Sequence, residues 1–110
     1  MNGTKSQIEW AEQIKPRVGA EFDRVTNALT IAASNKGEQV RTDAQAVVAI
    51  LEEKRAEVMA NDHAGYFIRD WQELGDQVRQ MIGKDARFQA IRARRTARQE
   101  TNGQKISEAT

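Results

Sequence analysis

The stretch YFIRDWQELGDQVRQMI, residues 66–82, decides the fold class. Phe67, Trp71, Leu74, Val78 and Met81 recur at spacings of 4, 3, 4 and 3. That period lines one face of an α-helix and would scatter over both faces of a strand. Tyr66, Ile68 and Ile82 widen the stripe into the densest apolar patch of the chain. One helix is therefore expected here, with Asn61-Asp62-His63 offering N-cap residues before it and Gly83 a C-cap after it. Gly65 and Gly75 cost that helix about 1 kcal/mol each relative to alanine, unless they permit close packing.

The same period continues on both sides. Upstream, Val40, Ala44, Val47, Leu51 and Val58, widened by Val48 and Ile50, predict a helix over 38–60. Glu52, Glu53, Lys54, Arg55 and Glu57 cover its other side as a solvated face. Ser34-Asn35-Lys36-Gly37 reads as a linker, and before it Val18, Phe22, Val25, Leu29 and Ala32 form another stripe. Pro16 lacks a backbone donor and clashes with the preceding turn, so a break is expected there. A short first helix then starts between Thr4 and Ser6, with Ser6 and Glu9 at capping-box spacing and Ile8, Ala11 and Ile14 on one face. Trp10 falls at the shoulder of that face.

Downstream, Asp85 can cap a final helix over 86–99 that has Phe88 and Ile91 as apolar anchors. Residues 100–110 carry no apolar pattern and are expected to be a disordered polar tail. The expected fold is all-α: a small bundle of three main helices, a short N-terminal helix and a basic C-terminal helix, forming one domain over 1–99.

Composition narrows the function. The chain has 110 residues, no cysteine and one histidine, which removes disulfides, cysteine-ligated metals and thiol nucleophiles. No apolar run approaches the roughly 18 residues of a membrane span, and residues 1–7 are too polar for a signal peptide, so a cytoplasmic location is expected. The formal net charge is +1, but it is unevenly distributed. Residues 1–83 carry a net −3, residues 84–98 a net +5 and residues 99–110 a net −1.

His63 beside Asp62 reads as a surface or capping residue rather than a general base, since no nucleophile or orienting group accompanies it in the sequence. Glu52/Glu53 and Asp70/Glu73 fit a solvated helix face better than a catalytic dyad. Neither a phosphate loop nor metal-ligand spacing is present. No enzyme, cofactor or small-molecule substrate is expected.

The basic segment is the best functional candidate. Lys84, Arg87, Arg92, Arg94, Arg95 and Arg98 face only Asp85 in their own stretch. On a helix, Arg87, Arg94 and Arg98 share one face and Arg92 and Arg95 another, while Phe88 and Ile91 dock the helix on the body. Such a cluster suits phosphates, and equally a carboxylate-rich protein surface. Tyr66, Phe67 and Trp71 are core residues by spacing, yet their breadth leaves room for an interface, including a homodimer.

The segment Gln7-Ile8-Glu9-Trp10-Ala11-Glu12-Gln13-Ile14-Lys15 resembles a short helix of small phage- and plasmid-type bacterial proteins, of pattern Gln-Ile-x-Trp-Ala-x-x-Ile-Arg. Those modules tend to end in an aromatic helix similar to Ala64-Gly65-Tyr66-Phe67-Ile68-Arg69. Lys15 stands where the pattern has arginine, and the basic segment after Gly83 has no counterpart. The resemblance implies a mobile-element origin and a small helical module, and it assigns no activity. The expectation is a non-enzymatic helical binding protein whose basic helix contacts nucleic acid. The alternatives are a protein–protein effector, such as an anti-defence (anti-CRISPR-like) inhibitor, or a structural homo-oligomer.

Overall fold

The computed structural model describes the backbone of residues 1–109 and the side chains of residues 1–98. The chain is all-α: α1 (Lys5–Ala33), α2 (Glu38–Met59), α3 (Ala64–Asp70), α4 (Leu74–Gly83) and α5 (Ala86–Ala109). The polar tail expected over 100–110 lies outside the described side chains.

Three boundaries differ from the sequence expectation, one of them the end of α5, which runs to Ala109 where the last helix is expected over 86–99. Pro16 lies inside one continuous helix of 29 residues instead of separating two. Its missing N–H orphans the Glu12 carbonyl, but both residues are exposed, so water can satisfy that group. Ala11 and Val18, each 0% exposed, anchor the helix in one core on either side of the proline. Packing on both flanks outweighs the local cost of about 3 kcal/mol. The helix starts within the expected range, but its capping box is Thr4 with Gln7 rather than Ser6 with Glu9.

The third difference falls in the stretch 66–82, which is two helices joined through Trp71-Gln72-Glu73. Trp71 leaves the helical region at φ −114° and ψ 36°, while its backbone N–H still closes α3 on the Phe67 carbonyl. The break rotates the second half of the stripe. Val78 and Ile82 are buried in α4, and Met81 is only half-buried. Gly83 is the last residue of α4, not a left-handed cap, and Lys84 caps it in the right-handed region.

The body is built on a hairpin of α1 and α2, closed by residues 34–37. At Gly19 the side chains of α2 fill the space beside α1, since an added Cβ would lie 3.1 Å from Arg55 Nη2 and 3.5 Å from Met59 Cε. Arg55 lies there and pairs with Asp23 at 3.3 Å. α3 packs along the first half of α1, with the Lys15 ammonium 5.7 Å from the Phe67 ring centroid. The core joins Val18 and Phe22 of α1 with Leu51 and Val58 of α2, Phe67 of α3, Trp71 of the turn that follows it and Val78 of α4. The Phe22 and Trp71 rings lie 5.8 Å apart. The N-terminal strand-like segment straps the far end. Asn2 donates to the Asp62 carbonyl at 2.6 Å and accepts from the Ala64 N–H at 2.9 Å.

Among the described residues no helix is long and apolar enough to cross a membrane.

Candidate functional site

α5 begins at Asp85, whose carboxylate accepts the Arg87 backbone N–H at 2.8 Å, the N-cap role its position in the sequence suggests. The same carboxylate takes Arg87 Nε at 3.0 Å and Nη2 at 2.9 Å, and Lys54 of α2 lies at 3.3 Å. Arg87 Nη1 reaches across to Glu53 Oε2 at 2.7 Å. This four-residue network ties the start of α5 to α2. The hydrogen bonds from Arg87 hold the Asp85 carboxyl far below the usual carboxylate range, against its desolvation, and hold Glu53 low as well. The Arg87 guanidinium is raised in return by Asp85 and then Glu53.

One and a half turns on, Ile91 is buried at 6% exposure and Phe88 packs half-buried against the core. Farther along, Arg98 pairs with Asp43 of α2, which also accepts from Gln39 Nε2 at 3.2 Å. Asp43 is the one charged residue buried as a whole among the described residues, at 3% exposure. Burial pushes its carboxyl up, but the hydrogen bonds from Arg98 and Gln39 and the field of Arg94 leave it below its ordinary value. Glu53 with Arg87 and Asp43 with Arg98 set α5 antiparallel to α2.

The six expected cations therefore divide. Arg87 and Arg98 are turned to the body and neutralised there. Lys84, Arg92, Arg94 and Arg95 are exposed and form no ion pair among the described residues. Between α2 and α5 a recess of about 260 Å³ opens, floored by Val47, Phe88 and Ile91 and rimmed by Arg92, Arg95 and Thr96.

Of the three residues expected at an interface, Phe67 and Trp71 are interior to the chain's own core, at 0% and 2% exposure. Tyr66 is half-buried, edge-on to Phe67 at 5.2 Å. The surplus of that aromatic cluster is absorbed by α1, because α3 is short and covered along its length. Among the described residues the exposed large apolar side chains are instead Trp10, at the shoulder of α1 as expected, and Ile31. His63 is exposed at the start of α3, where its backbone N–H donates to Asn61 Oδ1 at 2.9 Å.

Sequence reading missed the acidic half of this site. Glu53 and Lys54 read as solvated face, yet both serve α5. Asp43 carried a signal: it precedes Val47 by one helical turn, so a carboxylate stands in line with the apolar stripe.

No family model, curated protein or solved structure matches the chain.

Proposed function

We propose that the protein is a non-enzymatic binding module that docks an anionic polymer, a nucleic acid, on the outward cations of α5. The observation that carries this reading is the division of the basic segment. Two arginines fasten the helix, while Arg92, Arg94 and Arg95 stand exposed within four residues of one another and form no ion pair among the described residues, Arg94 acting on Asp43 only through its field. Guanidinium groups gathered within about one helical turn offer forked donors to phosphate oxygens, and their attraction is independent of base sequence. The helix is held on the body before any ligand arrives, which lowers the ordering cost of binding.

Reversing Arg92, Arg94 and Arg95 to glutamate should abolish nucleic-acid binding measured by fluorescence anisotropy. Unchanged affinity would remove the proposal.

A second reading, a protein–protein effector, is favoured by the exposed Trp10. It borders a recess of about 280 Å³ with Ile14, Ile68 and Leu74. Affinity capture of one stoichiometric protein, retained after nuclease treatment and lost in Trp10→Ser, would select it.

A further inference from the structure

We infer that the recess between α2 and α5 is a subsite for one unpaired nucleobase, so that the chain prefers a single strand to a duplex. The inference rests on the nucleic-acid reading above and adds to it the form of the ligand.

The recess combines an apolar floor with a cationic rim. Val47 and Ile91 are buried, each at 6% exposure, and Phe88 adds a half-buried aromatic ring to the same floor. Arg92 and Arg95, one turn apart on α5, rise beside it without an ion pair among the described residues. The Thr96 hydroxyl donates to the Arg92 carbonyl at 3.1 Å, so it is already engaged in the helix. What suits such a place is a flat, largely apolar ring carrying negative charge just outside it. A nucleotide of a single strand has that form, with its base on the floor and its phosphates at the rim.

A duplex keeps the faces of its bases stacked inside and offers its backbone and base edges, so it can use the rim and leave the floor empty. A peptide fits less well. Bound peptides draw on main-chain partners or a long groove, whereas both walls here are helix sides whose backbone groups are already bonded within α2 and α5.

The test uses the full chain and four labelled probes of equal phosphate number: a thymidine strand, a uridine strand, a duplex and a strand of abasic nucleotides. The base-bearing strands should bind about tenfold more tightly than the abasic strand and the duplex, the scale of a single base–aromatic stack. Whichever of thymidine and uridine binds better identifies the sugar and base the site favours, and a preference either way supports the inference. Phe88→Leu keeps an apolar anchor under α5, and it should narrow the gap to about twofold without changing abasic binding. The comparison of probes on the native chain needs no variant to fold. Equal affinity for base-bearing and abasic strands would overturn the subsite while leaving the cationic surface intact. Absence of salt-sensitive binding to every probe would overturn the nucleic-acid reading itself. Displacement of the strand by a glutamate–phenylalanine peptide at lower concentration than by competing strand would reassign the recess to a protein partner.

Discussion

Gly3 holds the one left-handed-side backbone conformation among the described residues, at φ +145°. A Cβ there would stand 3.0 Å from the Ala64 Cβ, at the point where the N-terminal segment crosses the start of α3. Gly3→Ala should therefore cost about 1–3 kcal/mol in chemical unfolding, or free the strap and expose the Ala64 amide to exchange. Gly65 is the opposite case. No atom lies within 4 Å of its Cβ position, so Gly65→Ala should stabilise α3 by about 0.4–1 kcal/mol. Trp71 decides more than either. It is 2% exposed, packs on Phe22, and its indole Nε1 is buried without a hydrogen-bond partner. Trp71→Ala should cost about 3–5 kcal/mol and melt the single chain, at a midpoint independent of protein concentration. A concentration-dependent midpoint would mean that the residue serves an assembly instead.

At the level of elements, α5 is attached differently from the other four. Among the described residues its apolar hold on the body is Ile91 with part of Phe88, beside the ion pairs of Arg87 and Arg98. Asp43→Asn removes the anion opposite Arg98 and should weaken docking by about 1–2 kcal/mol, since Arg98 can turn to water. Hydrogen exchange should quicken at the far end of the α2–α5 contact and stay unchanged in α3. Acid should act on both ends of that contact. Asp43 and Glu53 have folded-state values below the ordinary 3.8 and 4.5, so their contribution is complete above those values and is lost as pH falls below them. Near-neutral solutions should keep α5 docked, and lowering the pH from about 5 to about 2 should release it before the body unfolds. Equal loss of protection in α1 and α5 on acidification would contradict this separation.

The helices themselves were legible, because Val47–Leu51–Val58 and Val18–Phe22 repeat at helical period and no alternation competes with it. The turn at 71–73 was not, because the spacing of Phe67, Trp71, Leu74 and Val78 passes through it unbroken. Its cause is tertiary: Trp71 is held against Phe22, and both halves of the patch pack on α1 while the second half also meets α2 and α5. Pro16 misled in the other direction, a local rule overridden by burial on both flanks. The cations of the site were visible as a run, but their partition was not. Arg98 meets Asp43 across 55 residues and Arg87 meets Glu53 across 34, pairings that exist only once α5 lies antiparallel on α2.

For the whole molecule, the formal charge of +1 conceals an acidic body that retains part of its own basic helix. Binding of an anionic strand should therefore draw on Arg92, Arg94 and Arg95, which are exposed and form no ion pair among the described residues, with Arg87 and Arg98 kept in their internal pairs. Single strands release about 0.7 counterions for each phosphate neutralised. The decisive measurement is the affinity of the native chain for a single strand across a range of salt concentrations. A plot of log affinity against log salt should fall with a slope of about −2, as three engaged cations require. A slope near zero would show that the arginines of α5 hold no phosphate. A slope of about −4, as six engaged cations require, would show that the body does not withhold Arg87 and Arg98 at all.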